Sequence, residues 1–143
     1  MPEERSKLFI DTDAFVALVD SHDAHHNEAG ILNEVIEKSH TEAFTSNFTL
    51  GESITVISQN VGHPQAVAFA DTLLKSNIMI IDTLRHHAIT ALHRFSKAKS
   101  KNVRFTDFVN IILMEELGIS TIFSFDRHYR QAGFTLLTPQ TVL

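Results

Sequence analysis

The chain has 143 residues, which suits one domain of about 100–150 residues and leaves no room for two. Hydrophobic residues make up 43% and charged residues 20%, a balance typical of a folded globular protein. The absence of cysteine excludes disulfides and thiolate metal sites, and the net charge of −5 argues against a uniformly basic nucleic-acid-binding protein. We therefore expect a single domain over residues 1–143 in the cytoplasm.

A membrane location is not expected. The apolar stretches are interrupted too often for a transmembrane helix. Residues 1–7 carry no apolar core of the kind that defines a signal peptide.

Short apolar runs that alternate with helical patterns predict the order of elements. In chain order we expect strand 7–10, helices 14–19 and 24–38, strand 43–45, helices 47–57 and 65–75, strand 78–81, helices 84–97 and 107–117, strand 121–124, a helical turn at 128–131 and strand 134–137. Strands that alternate with helices predict a three-layer α/β/α sandwich with a central, mostly parallel sheet of four or five strands.

Polar and glycine residues at the expected helix ends predict where some helices begin and end. Ser46 or Asn47 is suited to cap the third helix, and Thr106 is suited to cap the helix that starts at Asp107. Gly118 is expected at the end of that same helix.

Four single acids lie where an apolar run meets a helical pattern: Asp11, Glu52, Asp107 and Asp126. In open α/β sheets the site lies at the carboxyl ends of the strands, so the topology can bring these acids together. Two carboxylates ~5 Å apart repel by roughly 3 kcal/mol at an effective dielectric near 20, and a cation relieves that repulsion. Without cysteine, and with no histidine at a fixed spacing to these acids, an all-oxygen site for Mg²⁺ or Mn²⁺ is predicted.

Each acid also has an ordinary structural explanation. Asp107 is favoured at a helix N-terminus by the helix dipole alone. Asp126 can cap the helical turn that follows, and Asp11 can start a turn. Glu52 is the most ambiguous, because exposed glutamates are common on helices.

Residues 85–104, here called the basic segment, contain six of the 12 Lys and Arg residues and no acid. One interpretation is a solvated helix face and loop, in which His86 and His87 face solvent. The other is a surface that contacts a phosphate backbone beside Asp107. The candidate contacts are Arg94, Lys97, Lys99, Lys101 and Arg104, together with His128 near Asp126.

The chain resembles the PIN-domain family of metal-dependent nucleases, and within it the VapC-type toxins of toxin–antitoxin modules, over about residues 7–139. The resemblance rests on four blocks in order, namely Phe9-Ile10-Asp11-Thr12, the helical Glu52, Phe105-Thr106-Asp107-Phe108, and Ser124-Phe125-Asp126-Arg127-His128-Tyr129 followed by Gly133-Phe134. The last two blocks are specific on their own.

This resemblance implies a divalent-metal-dependent endoribonuclease with RNA as substrate, a small antitoxin partner and a homodimer. It implies that the four acids are the catalytic metal ligands, with Thr12 and Ser124 in supporting positions. Asp13 stands where many relatives carry Ser or Asn, and we expect it to cap the first helix rather than to add a fifth ligand.

Three other interpretations remain open. Asp11-Thr12-Asp13 also matches the start of haloacid-dehalogenase-type phosphatases, although Phe15 and Arg127 depart from that pattern. His22, His25 and His26 have a helical spacing that could bind zinc, but a polar loop with Asp23 as helix cap explains them more simply. A solitary nuclease, or a binding module that keeps the acids without catalysis, would use the same fold.

Overall fold

The computed structural model describes residues 4–143. The expectations for residues 1–7 and for a domain over 1–143 include residues 1–3, which lie outside the described residues. In chain order the elements are β1 (Lys7–Ile10), α1 (Thr12–Val19), α2 (His26–Glu37), β2 (Glu42–Ser46), α3 (Asn47–Asn60), α4 (His63–Lys75), β3 (Met79–Ile81), α5 (Arg85–Ser96), α6 (Phe105–Leu117), β4 (Thr121–Phe123), α7 (Arg127–Gln131) and β5 (Thr135–Leu136). Within residues 4–143, none of these helices combines the length and apolarity needed to cross a bilayer.

The five strands form one sheet in the order β3-β2-β1-β4-β5, and every pair is parallel. The chain builds outward from β1 to β3 on one side and then crosses back to add β4 and β5 on the other. The strand order therefore reverses between β1 and β4, and ligands of open α/β sheets bind at such a reversal. Phe9 pairs with Ile122 and Ile10 with Phe123, so both strands end together.

Both faces of the sheet are covered by helices, which confirms the predicted three-layer sandwich. Leu8 and Ile10 pack on one face against α1, α2 and α4, while Phe9 packs on the other face against α5 and α6. A strand whose two faces are both buried is expected to be apolar at every position, as β1 is after Lys7.

Two of the predicted helix ends are confirmed and two are wrong. Ser46 caps α3 by accepting a hydrogen bond from the Thr49 amide, and Gly118 ends α6 in the left-handed conformation with φ 68°. Thr106 is not a cap, because α6 already begins at Phe105. Asp23 precedes the cap position of α2, which is occupied by His25.

Candidate metal centre

Asp11 lies one residue beyond β1, at the reversal of the strand order. Its amide donates to the Phe123 carbonyl at 3.1 Å and so continues the β1–β4 pairing for one residue. Its carboxylate is buried, accepts a hydrogen bond from Asn110 Nδ2 at 3.2 Å and lies 3.3 Å from Ser124 Oγ, whose single hydroxyl proton is shared with Asp13. The strand end therefore fixes the position of this acid, and two side chains from other elements fix its orientation.

Asp107 and Asp126 come together beside α7. Together with His128 they offer ligand atoms that all lie within 4.8 Å of one another. His128 Nδ1 lies 2.6 Å from Asp126 Oδ1, but the two side chains are not aligned for a hydrogen bond. His128 therefore lies beside Asp126, as the sequence predicts, and the fold also brings it close to Asp107.

Asp126 also serves as a helix cap. Its Oδ1 accepts a hydrogen bond from the His128 amide at 2.9 Å, and the residue occupies the N-cap position of α7. Asp126 can therefore cap α7 and take part in the cluster at the same time.

Glu52 faces the start of α6 but lies outside this group of three. Its Oε1 accepts from Arg104 Nη1 at 3.1 Å, and its Oε2 accepts from Thr106 Oγ1 at 3.1 Å. The Arg104 amide in turn donates to Asp107 Oδ2 at 2.9 Å. Arg104 thus connects Glu52 with Asp107, and Thr106 orients Glu52 rather than capping its own helix.

Two buried side chains that the sequence reasoning missed join Asp11 and Asp107 into one network. Asn110 donates to Asp11 and accepts from Ser46 Oγ at 2.9 Å, while the Tyr129 hydroxyl donates to Asp107 Oδ1 at 3.2 Å. Asn110 Nδ2 also lies 3.5 Å from the Tyr129 hydroxyl. A signal for Asn110 was available, since it is the only polar residue in the apolar run from residue 108 to residue 114.

Asp13 does not cap α1, contrary to expectation. It lies inside the first turn of the helix, and its Oδ2 accepts from the Phe125 amide at 2.8 Å and from Ser124 Oγ at 3.0 Å. Its Oδ1 is buried without a hydrogen-bond partner among the described residues. The supporting position Thr12 likewise has a buried hydroxyl, and the described residues offer it no partner.

Burial and neighbouring negative charges favour the neutral, protonated form of three of these aspartates. Burial raises the pKa of Asp11 well above its ordinary value, and the charges of Asp13 and Asp107 raise it further. Burial likewise raises the pKa of Asp13 from 3.8 to about 6 and raises the pKa of Asp107, with the charge of Asp126 adding to both. Because both effects penalise the carboxylate form, a bound cation would relieve them. The donor set therefore fits a divalent metal ion.

Part of the basic segment is already engaged in ion pairs. Arg94 makes two hydrogen bonds to the Glu115 carboxylate, at 2.8 and 2.9 Å, and Arg104 is paired with Glu52. The remaining lysines of the set are exposed on the loop between α5 and α6: Lys97, Lys99 and Lys101.

Outside the cluster, one histidine departs from its expected placement, whereas His86 is exposed as expected. His87 is buried rather than exposed, since it accepts from the Leu84 amide and contacts Glu116. Within residues 4–143, His86, His87 and Glu116 form the other group whose ligand atoms are close enough together to share a metal ion. His22 and His25 precede α2, so they do not share a helical face with His26, and this zinc interpretation has no geometric support.

Comparison with known proteins agrees with this architecture. Residues 8–135 match the family described as PIN domain. The 23S rRNA-specific endonuclease VapC20 of Mycobacterium tuberculosis is 26% identical over 133 residues, which cover 93% of this chain and 99% of that protein.

Solved structures give the same result for the fold. The crystal structure of M. tuberculosis VapC20, described as a sarcin–ricin loop cleaving toxin, superposes with a TM-score of 0.83 at 26% identity, covering 92% of this chain and 99% of that chain. VapBC2 from Rickettsia felis, solved with a DNA fragment from its promoter, gives a TM-score of 0.64 at 15% identity and covers 92% of this chain and 98% of that chain.

Proposed function

This chain belongs to the PIN domain family, and on that premise we propose that it is a divalent-metal-dependent endoribonuclease and the toxin of a toxin–antitoxin module. The observation that carries the proposal is the cluster of Asp107, Asp126 and His128, joined by hydrogen bonds to Asp11 at the reversal of the strand order. The similarity to VapC20 over nearly the whole length of both chains supports RNA as the substrate class.

We assign the metal ligands to the four acids, with Mg²⁺ or Mn²⁺ as the ion: Asp11, Glu52, Asp107 and Asp126. Such a cation, when bound, activates water and neutralises charge on the phosphodiester. The side chains around the acids hold them for this task. The Tyr129 hydroxyl and the Arg104 amide orient Asp107, while Asn110 and Ser124 orient Asp11.

Substrate contact is assigned to the exposed lysines of the basic segment, which lie on the loop that leads into α6 and Asp107. His128 adds a contact beside Asp126. Arg94 and Arg104 would have to leave Glu115 and Glu52 before they could contact phosphate. We therefore rank the lysines above the two arginines as RNA contacts.

The proposed partners and location are supported by membership of the PIN domain family. We propose a small antitoxin protein as the partner, a homodimer as the oligomeric state, and the cytoplasm, where the RNA substrate is found, as the location. A short neighbouring reading frame for a DNA-binding protein would support the toxin role over a solitary nuclease.

The proposal is tested by incubating the purified protein with total RNA in Mg²⁺ or Mn²⁺ and mapping the cleavage ends. We expect metal-dependent cleavage that is lost on addition of EDTA and in Asp107→Asn. The matched control is Asp71→Asn, which removes an exposed acid paired with Lys75 on α4 and should leave cleavage unchanged. A stably folded protein without RNA cleavage would favour a non-catalytic binding module.

A further inference from the structure

His25, at the end of the loop between α1 and α2, forms an aromatic pair with Phe125, which lies between β4 and α7, and the proposed chemistry does not use this pair. The rings of His25 and Phe125 stack face to face, with centroids 4.2 Å apart and an interplanar angle of 5°. Phe125 immediately precedes Asp126, and its amide donates to Asp13. The pair therefore lies next to the metal centre.

The two rings differ in how much they are exposed. Phe125 is half-buried and packs edge-on against Phe123 in the core, with centroids 6.1 Å apart. The His25 side chain remains 51% exposed. Phe125 is therefore the inner ring of the stack, and His25 is the outer ring, which is exposed to solvent.

Local hydrogen bonds hold His25 in place. Its amide donates to Asp23 Oδ1 at 2.8 Å, and His26 Nδ1 contacts the Ala17 carbonyl oxygen at 2.7 Å, which ties the start of α2 to α1. Glu28 lies 3.7 Å from His25 Nδ1 on the exposed side. Because the loop is fixed before any ligand arrives, a ring bound here would incur little ordering cost.

The pair and the basic segment lie on different sides of the acids. Phe125 packs with α1 and α2 on one face of the sheet, whereas α5 and α6, which the lysine-bearing loop connects, cover the other face. A nucleic-acid strand that contacts those lysines and passes over the acids toward α1 and α2 would come to the side of the sheet on which Phe125 and His25 lie. Successive bases stack on aromatic side chains in proteins that bind single-stranded nucleic acid.

We propose that His25, supported by Phe125, is a stacking platform for an unpaired base of the RNA, next to the bond that is cut. This inference rests on the proposed ribonuclease function. It also assigns His25 a function other than the zinc binding considered for His22, His25 and His26.

The test compares His25→Ala with His25→Phe, which keeps a flat ring, and with His22→Ala, which removes a 97% exposed histidine from the same loop. The probes are random 20-nucleotide RNAs labelled with fluorescein for anisotropy, and the same RNAs containing 2-aminopurine, whose fluorescence is quenched by stacking. We expect His25→Ala to weaken binding roughly tenfold and to reduce the quenching, because one base loses the aromatic ring on which it stacks. His25→Phe should retain both, and His22→Ala should match the parent.

Cleavage kinetics and thermal unfolding separate a platform from a purely structural pair. A platform that binds the substrate and transition state alike predicts a raised KM with kcat little changed in His25→Ala, and an unchanged Tm. If the parent cleaves RNA and His25→Ala binds and cleaves equally well, the platform is refuted while the ribonuclease function stands. If the parent neither binds nor cleaves RNA, both are refuted.

Discussion

Replacing Asp13 by asparagine should make the metal-free protein more stable at neutral and alkaline pH. Both hydrogen bonds to this carboxylate, from the Phe125 amide and from Ser124, go to Oδ2, and Oδ1 has no partner among the described residues. An amide oxygen at the Oδ2 position keeps both bonds. The amide NH₂ then takes the place of an unpartnered, negatively charged oxygen near Asp126.

The magnitude follows from the pKa of Asp13, which burial raises from 3.8 to about 6. Because the folded state holds this proton more tightly than the unfolded state, the associated stability is fully present below pH 3.8 and is lost as the pH rises through about 6. At 1.36 kcal/mol per pKa unit the loss is about 3 kcal/mol. The variant avoids this loss, so at pH 8 it should gain about 1–3 kcal/mol in the free energy of unfolding.

Urea unfolding in EDTA at pH 4 and pH 8 measures the difference. At pH 8 the variant should unfold at higher urea concentration than the parent, and at pH 4 the two should nearly coincide. Asp71→Asn, which removes an exposed carboxylate, should shift stability by less than about 0.5 kcal/mol at either pH. Equal stability of Asp13→Asn and parent at pH 8 would refute the view that the cluster is strained without a cation.

Two further changes test the network and the RNA surface. Tyr129→Phe removes the hydroxyl that donates to Asp107 and should cost about 1–2 kcal/mol in urea unfolding; an unchanged midpoint would remove Tyr129 from the network. Changing the three exposed lysines of the basic segment to Glu should weaken RNA binding and lower the slope of log K against log salt by about 2, whereas Lys75→Glu on α4 should not. Equal slopes for the parent and the variant with three lysines changed would favour the interpretation of the segment as a solvated helix face and loop. The three lysines are Lys97, Lys99 and Lys101.

The order of elements was predictable because each strand is a short apolar run and each helix carries its own periodicity. Leu8, Phe9 and Ile10 are apolar because both faces of the sheet are covered, and this pattern is visible without any tertiary information. Asp11 could be placed at the carboxyl end of the sheet by the same argument.

What the sequence could not predict depends on contacts between distant segments. Asp13 was expected to cap α1, but its acceptor capacity is taken by Ser124 and Phe125, more than 100 residues later. Thr106 was expected to cap α6, but its hydroxyl goes to Glu52. A side chain that can cap its own helix or bond across the fold gives the same sequence signal in both cases.

The most direct test of the metal centre is a Mn²⁺ titration followed by electron paramagnetic resonance, with the parent, Asp107→Asn and Asp71→Asn. The account predicts saturable Mn²⁺ binding by the parent and by Asp71→Asn. It predicts at least tenfold weaker binding by Asp107→Asn, because even the loss of a residue that only supports a metal ligand costs about 10–100-fold in metal affinity. Equal Mn²⁺ affinity in the parent and Asp107→Asn would contradict it.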